Sequence, residues 1–558
     1  MFGSAEGATK WKVLLCLILA NLVQGIGIAS LVPLIAIVSD QGSEEPSAAS
    51  ALILDGVRSF GFEPNLEILL LLVVGAIVLK SLISLLALRY VGYAVADIST
   101  RMRQRLLSNL LNARWSYLTQ QSLGAMAQTV NQMAVRAGQG FRLSATMLSN
   151  ALEAAVYILV GFFVSWELSL LSLALGLLIS RALSRYVKQA RRAGKKDAGQ
   201  TNELSSLLSE AFLGIKSLKA MERQADYMSL ISRTISRQRK TMRQKVISRE
   251  KLMNAQEPLL VIFMAAGFYI LIEIFEMPIA QLLVIGVILQ RTVKTLNKLQ
   301  QQYQRSAEME GSYDLINDML EESAAQAEER GGEKQPTLEV GARFEKVTFS
   351  YPGQDSPVLR DLTLEFPARQ LTVLTGPSGA GKSTVTDLLL GFQRPQEGRI
   401  LIDGVPLEEI DLVAWRRMIG YVPQDLMLFT ETIFANITLL NPELTEEMAI
   451  EALQAAGAWD FVKSLPEGIY TPVGERGGRF SGGQRQRISI ARALVHKPKL
   501  LILDEVTSAL DAATEESICR TMEELRRDIT IIAISHRPNW MEVADVVYKL
   551  EGKLLTTS

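Results

Sequence analysis

The sequence predicts a multidomain membrane protein in which an all-α membrane domain is followed by an α/β domain. Long apolar segments are confined to residues 13–289, whereas short strand-like runs alternate with helical stretches after residue 338. A glycine-rich segment with the pattern G-x-x-x-x-G-K-[ST] lies in that second region. The chain has 558 residues, which is too many for a single hydrophobic core.

Six apolar segments predict six membrane-spanning helices, at residues 13–38, 66–88, 145–164, 168–183, 259–274 and 279–289. The first three are long enough to cross a hydrocarbon core of ~30 Å. The first segment is too long for the apolar part of a signal peptide, and we interpret it as a retained helix. The last segment is short, so a buried soluble helix is the alternative on length alone.

The distribution of basic residues predicts the orientation of these helices. Lys and Arg are concentrated after the second and fourth spans and are nearly absent after the first and between the fifth and sixth. By the positive-inside rule, both termini and the two long basic loops, residues 89–142 and 185–251, are cytoplasmic. Both loops lack proline and are rich in helix-forming residues, which predicts that the membrane helices extend into the cytoplasm.

Composition shifts give the domain boundaries. We predict a membrane domain over residues 1–305, a polar linker over 306–337 and an α/β domain over 338–558. Predicted strands lie at 344–349, 371–375, 398–402, 419–422, 500–503, 529–534 and 546–550.

The glycine-rich segment is a candidate phosphate-binding loop. It follows an apolar strand and opens a predicted helix at 384–390, which is the context that the motif requires. Its glycines let the backbone N–H groups face phosphate oxygens, Lys382 supplies a positive charge and the Ser383 hydroxyl can bind Mg²⁺. The segment consists of Gly376, Pro377, Ser378, Gly379, Ala380, Gly381, Lys382, Ser383 and Thr384.

Two acids end a second apolar strand. The run Leu500–Leu503 has the character of a central parallel strand, and Asp504 and Glu505 follow it directly. We expect Asp504 to hold Mg²⁺ and Glu505 to polarise an attacking water molecule. By itself this pattern also fits a strand that ends in solvated acids.

A third motif carries a family resemblance. Phe480-Ser481-Gly482-Gly483-Gln484, shortly before the acidic strand end, resembles the signature motif of ATP-binding cassette (ABC) proteins. The resemblance implies a nucleotide-binding domain with a helical subdomain, whose signature contacts the γ-phosphate of ATP bound to the opposite subunit. Phe480 departs from the leucine usual in the family, at a position where we expect packing only.

Other matches occur in family order, and their roles are implied by the resemblance. Tyr351 resembles the aromatic residue that stacks on adenine, and Gln424 resembles the glutamine that senses Mg²⁺. Asp511, in Ser508-Ala509-Leu510-Asp511, resembles the loop that crosses the dimer interface. His536 resembles the switch histidine that contacts the γ-phosphate, and Gly474-Glu475-Arg476-Gly477 resembles a short exporter motif.

The resemblance implies a half-transporter of the exporter type, which uses ATP and Mg²⁺ and pairs with a second copy of itself or with a similar chain. Its expected location is a plasma membrane, such as a bacterial inner membrane. A membrane-tethered cassette ATPase and an ATP-gated channel are the alternatives. Six spans disfavour the first, and the presence of Glu505 and His536 disfavours the second.

The cargo is less defined. The apolar spans favour an amphipathic molecule, with a lipid or lipid-linked glycan first and a peptide or drug second. Lys80 and Glu153 lie inside spans, where a charged group needs a partner or water. We expect Lys80 either to extend toward the headgroups or, with Glu153, to line a translocation cavity.

Several features predict no further chemistry. The net charge of −1 argues neither for nor against a nucleic-acid partner. No stacking aromatics interleave with the basic loops, so we expect membrane lipids and not nucleic acid as the partners of these loops. The two cysteines, Cys16 and Cys519, are expected to pack without forming a disulfide, and His496 is expected at the surface.

Overall fold

The computed structural model describes residues 7–31, 33–34, 48–164, 166–273, 279–354, 356–506, 512–551 and 554–557. The chain divides into two compact units. The first comprises residues 1–113 and 117–327, and the second comprises residues 114–116 and 328–558. Residues 114–116, from the first predicted cytoplasmic loop, therefore belong to the same unit as the C-terminal part of the chain.

The N-terminal part of the chain is helical. Its helices are α1 Gly7–Ala29, α2 Ala48–Ser59, α3 Leu66–Leu111, α4 Trp115–Leu118, α5 Leu123–Gln128, α6 Ala134–Val164, α7 Trp166–Leu213, α8 Ile215–Ala220, α9 Gln224–Glu273 and α10 Ile279–Ala325, with a π-helical turn at Thr129–Met133. Helices α3, α7 and α9 have 46, 48 and 50 residues, more than twice the ~20 that a bilayer requires. The prediction that both basic loops are helical is confirmed, although the first is broken around the short helices α4 and α5 and the second around the short helix α8.

Within the described residues, three helical stretches are long and apolar enough to cross a membrane: Trp11–Ala29, Leu66–Leu111 and Leu123–Phe162. They overlap the first three predicted spans, at 13–38, 66–88 and 145–164. The spans predicted at 168–183, 259–274 and 279–289 fall in α7, α9 and α10. Most side chains of these three spans lie outside the described residues, as do residues 35–38 and 274. The surface of α3 is apolar and open, with Leu71 75% exposed and Val74 59% exposed, as expected of a helix that meets lipid.

The described residues of the second unit form two sheets. A four-stranded antiparallel sheet has the order β2-β1-β4-β5, and a six-stranded sheet has the order β10-β9-β3-β8-β7-β6 with a parallel centre. The strands are β1 Gly341–Phe349, β2 Leu359–Pro367, β3 Leu371–Thr375, β4 Glu397–Ile402, β5 Val405–Pro406, β6 Ile419–Val422, β7 Leu500–Asp504, β8 Thr530–Ile534, β9 Val546–Glu551 and β10 Leu554–Thr557. The seven predicted strands are confirmed, and β2, β5 and β10 were missed.

Strand β2 carried a signal that the prediction did not use. Leu362, Leu364 and Phe366 alternate with exposed residues and are buried, which is the period-two pattern of a strand with one face on a core. A bulge interrupts the pattern at its start, where Asp361 has a φ of 48° and the pairing with β1 shifts register.

Eight helices complete the second unit. They are α11 Lys382–Leu389, α12 Leu412–Arg417, α13 Ile433–Thr438, α14 Glu446–Ala455, α15 Trp459–Lys463, α16 Gly482–Leu494, α17 Ala512–Leu525 and α18 Pro538–Val543, counted over the described residues. Phe480 is 7% exposed and packs edge-on against Phe461 with ring centroids 6.2 Å apart, so its expected packing role is confirmed. Cys519 is buried in the same core, and both cysteines are free.

The segment predicted as a linker is structured. Helix α10 continues through residue 306 and ends at Ala325, because its polar sequence contains no proline or glycine pair that would stop it earlier. Residues 330–334 then run beside residues 409–412, with Gly332 N donating to Ile410 O at 2.9 Å and Leu412 N donating to Arg330 O at 2.9 Å.

The parallel strands place the chemistry. Strands β6, β7, β8 and β3 are consecutive neighbours and run in one direction, so their carboxyl ends share one edge of the sheet. The glycine-rich loop follows β3, the two acids end β7, and residues 424 and 536 follow β6 and β8. Ligands of open α/β sheets bind at this edge.

Candidate ATP site

The glycine-rich loop connects the fully buried strand β3 to α11. The helix begins at Lys382, two residues before the predicted start. Gly376 and Gly381 have φ values of 141° and 94°, which disfavour any residue with a side chain. A Cβ atom at Gly381 would also lie 2.6 Å from Cδ2 of Leu359. The motif's glycines are therefore required by the backbone path.

Lys382 is buried inside the loop, with 5% of its surface exposed. Its Nζ donates hydrogen bonds to the carbonyl oxygens of Gly376 at 2.8 Å and Pro377 at 3.1 Å. Burial lowers the pKa of Lys382, while Glu505 and Asp504 oppose that shift. The ammonium is thus held inside the loop, where phosphate oxygens can replace the carbonyl oxygens.

Asp504 ends β7 and is 5% exposed. Burial raises the pKa of this carboxyl and Glu505 adds to the effect, whereas the Ser383 hydroxyl and Lys382 lower it. Its Oδ1 atom is buried and has no hydrogen-bond partner among the described residues. A buried, unsatisfied carboxylate oxygen beside a serine hydroxyl fits a Mg²⁺ ligand set, because this cation prefers oxygen donors.

Glu505 is held by two residues from different strand ends. Gln424 Nε2 donates to its Oε2 at 2.8 Å, and His536 Nε2 lies 3.6 Å from its Oε1. The backbone of Glu505 is left-handed, with φ of 47°, a conformation that costs energy for a residue with a side chain. The fold therefore brings together the predicted pair of catalytic residues and the predicted glutamine.

Tyr351 lies beside the phosphate loop. Its hydroxyl is 3.1 Å from Thr384 Oγ1, and its ring packs edge-on against Phe349 at 5.0 Å. Sequence reasoning missed a neighbour, Asp387. Burial, with a contribution from Asp504, raises the pKa of Asp387 to about 6, and a hydrogen bond with Tyr351 opposes the shift. Its position three residues after Thr384, on the same face of α11, was the available signal.

The signature residues form the start of α16. Ser481 is the N-cap: Gln484 N donates to Ser481 Oγ at 3.3 Å, and Ser481 N donates to Gln484 Oε1 at 2.9 Å. This capping box leaves the N–H groups of Gly482 and Gly483 at a helix N-terminus, which favours an anion. The hydrogen bonds described for Ser481 and Gln484 stay within residues 481–485. Asp511 and the rest of its motif lie outside the described residues, and His496 is exposed as predicted.

Comparison with known protein families identifies the chain. The ABC transporter transmembrane region matches residues 11–306, and the ABC transporter domain matches residues 359–508. The chain belongs to the ABC transporter family. This transporter is a multi-pass membrane protein that binds ATP and couples its hydrolysis to transport, with the helical membrane domain ahead of the nucleotide-binding domain.

Relatives span most of the transporter. It is 30% identical over 462 residues to the heterocyst differentiation ATP-binding protein HepA of Nostoc sp., covering 83% of this chain and 76% of the relative. It is 29% identical over 495 residues to the ATP-dependent lipid A-core flippase of Escherichia coli K12, covering 87% and 84%. Its fold matches a solved bacterial Atm1-family ABC exporter with ATP bound, with a TM-score of 0.80 and 22% identity, over 98% of this chain and 95% of that one.

The membrane helices of the transporter contain a polar cluster that joins α1, α3 and α6. Lys80 Nζ lies 3.7 Å from Glu153 Oε1, which also accepts hydrogen bonds from Gln24 Nε2 and the Tyr157 hydroxyl, each at 2.8 Å. Gln24 and Tyr157 bond to each other as well. Glu153 thus has partners, and Lys80 pairs with it within the membrane domain. Tyr157 could have been predicted from its i+4 spacing, but Gln24 could not.

Proposed function

We propose that this transporter flips or exports an amphipathic molecule across a bacterial plasma membrane. A lipid or lipid-linked glycan is the cargo class that we favour, and a peptide or drug is the alternative. The observation that carries the proposal is the edge of the sheet where the phosphate loop, Asp504 and Glu505 meet, joined in one chain to largely apolar membrane helices. Similarity to a lipid A-core flippase supports a lipid cargo. The basic residues of the loops at 89–142 and 185–251 support a cytoplasmic position for these loops and for both termini.

Different residues of the nucleotide site bind the phosphates, the adenine, the Mg²⁺ ion and the attacking water molecule. The loop residues 376–384 bind the phosphates, with Lys382 as the cationic group, and Tyr351 stacks on adenine. Ser383, Asp504 and Gln424 hold Mg²⁺, which when bound neutralises charge on the phosphates. Glu505 orients the attacking water, and His536 contacts the γ-phosphate.

The working unit is a dimer of this chain or of this chain with a similar half-transporter. Ser481, Gly482, Gly483 and Gln484 cap the ATP bound to the partner chain, and Asp511 lies at the crossing between chains. The described side-chain hydrogen bonds of Ser481 and Gln484 join only these two residues, which supports a role for the N-terminus of α16 toward a partner's nucleotide. Because ATP contacts both chains only when they close, it favours the closed state. Closure then changes the membrane helices from an inward-facing to an outward-facing arrangement.

Reconstitution tests the proposal. Purified protein in lipid vesicles is assayed for ATP hydrolysis and transport with a panel of lipids, lipid-linked glycans, peptides and hydrophobic drugs. Stimulation by lipids or glycans, with ATP-dependent movement against a gradient, is the expected result. Stimulation by peptides or drugs alone replaces the cargo class, and movement only down a gradient, without matching hydrolysis, indicates an ATP-gated channel.

A further inference from the structure

An acidic pair, Glu328 and Glu329, follows the end of α10 and binds three arginines from distant parts of the sequence. Glu329 Oε1 accepts from Arg114 at 2.5 Å, and its Oε2 accepts from Arg394 at 2.7 Å. Glu328 accepts two hydrogen bonds from the Arg416 guanidinium, both at 2.7 Å. All of these residues belong to the second unit.

One of these arginines, Arg416, also holds the segment that follows the phosphate-loop helix, and Arg394 lies in that segment. Helix α11 ends at Leu389, and Arg416 donates to the carbonyl oxygens of Leu390 at 2.9 Å and Gly391 at 3.2 Å. Its guanidinium also lies 4.9 Å from the centre of the Phe392 ring. Trp115 packs on the same ring at 5.8 Å. A shift at the end of α11 therefore acts directly on the partners of the acidic pair.

The loop that carries Arg114 is joined a second time to the end of α10. Ala113 pairs with Ala327 through a backbone bridge, and the Tyr117 hydroxyl lies 3.5 Å from Glu322 Oε2. Arg114 follows α3 closely, and Glu329 follows α10 closely. Glu329 therefore joins a residue that follows one long helix, α3, to the chain segment that follows another, α10.

Stability does not explain the ion pairs of Glu329. The side chains of Arg114, Glu329 and Arg394 are 45%, 54% and 55% exposed, and exposed ion pairs contribute little to folding. Paired charge-assisted hydrogen bonds do fix orientation. We propose that Glu329 is a positioning residue that couples ATP turnover to the membrane helices, because it links Arg394, which follows the phosphate-loop helix in sequence, to Arg114, which follows α3.

The test uses a readout that does not require the cargo. Full-length protein with Cys16→Ser, Cys519→Ser and Phe60→Cys is spin-labelled in nanodiscs, and the distance between labels in paired chains is measured with and without MgATP and vanadate. Phe60 is 82% exposed and lies between α2 and α3, in a loop predicted to be external. If the labelled parent, which carries only these three substitutions, gives no measurable distance between the labels of two chains, the proposed dimer is contradicted and the coupling role is not.

Glu329→Gln should keep basal ATP hydrolysis within about twofold of the parent while losing at least about half of the ATP-dependent distance change. The triple charge reversal Arg114→Glu, Glu329→Arg and Arg394→Glu should restore the change, since all pairs re-form. Glu409→Gln is the matched control, because Glu409 is 50% exposed and pairs with Lys334 of the same segment at 2.6 Å without contacting Arg114. A normal response in Glu329→Gln, an equal defect in Glu409→Gln or no rescue by the triple variant would overturn the proposal.

Discussion

Gln424 Nε2 donates a hydrogen bond to Oε2 of Glu505 at 2.8 Å, and so ties the segment after β6 to the end of β7. The other carboxylate oxygen of Glu505 faces His536. The side chain is thus oriented before any nucleotide contact is made, which is the condition for positioning a water molecule. A substitution that preserves the shape of Glu505 and removes its charge isolates its chemical role.

Glu505→Gln should bind ATP normally and hydrolyse it ~10²–10⁴-fold more slowly, because the group that polarises water is lost while Asp504 remains. Binding is measured with a fluorescent ATP analogue and turnover by phosphate release. Glu524→Gln, an exposed acid on α17, is the control and should be unaffected. Near-normal turnover in Glu505→Gln would show that another group performs this step.

Mixing chains tests the shared sites. Ser481→Arg places a long cation at the start of α16, where it would block the γ-phosphate position on the partner's ATP. With equal amounts of wild-type and variant chains in random pairs, about a quarter of the dimers contain two wild-type chains. Activity should therefore fall toward about a quarter of the wild-type value, because one blocked site stops the whole dimer. Ser481→Ala removes the helix cap, at a cost of ~1 kcal/mol, without blocking the site, and should poison far less. A fall to one half, in proportion to the variant chains, would show that a blocked site does not impair its neighbour, as expected of independent monomers.

The raised pKa of Asp387 predicts that the stability of the protein depends on pH. Its pKa is raised from 3.8 to about 6, so the folded protein keeps a proton that the unfolded chain has released. The contribution of this carboxyl group to the free energy of unfolding is therefore greatest below pH 3.8 and is lost as the pH rises through about 6. Asp387→Asn should raise the thermal midpoint at pH 7, and the gain should shrink when unfolding is measured at pH 5. An equal gain at both pH values would contradict the role of the carboxyl charge.

The polar cluster in the membrane helices gives a test of the cargo path. If Lys80 and Glu153 line a cavity, Lys80→Met and Glu153→Gln should leave basal hydrolysis intact and change its stimulation by cargo. Each single variant leaves one charge without its partner, so Lys80→Met combined with Glu153→Gln should be better tolerated in expression than either alone. Normal transport by both single variants would show that the pair has only a structural role.

Much of the nucleotide site was readable from local pattern. The phosphate loop, the acidic strand end and the capping serine of the signature each lie within a few consecutive residues, and each has one backbone context that suits it. Apolar periodicity likewise predicted seven strands and the long helices. The start of α11 and the strand β2 were harder, because a tight turn and a bulge alter the local pattern.

The sequence by itself determined the chemistry that the chain carries and the order in which it appears. Only the tertiary structure decided which distant groups meet: Asp387 with Asp504, Gln24 with Glu153, and Glu329 with both Arg114 and Arg394. The reason is that hydrogen bonding and hydrophobic periodicity act over a few residues along the chain, whereas a contact between segments depends on how whole helices and strands pack. A lone charge in the sequence shows that a partner is needed, and the packing of the elements chooses that partner.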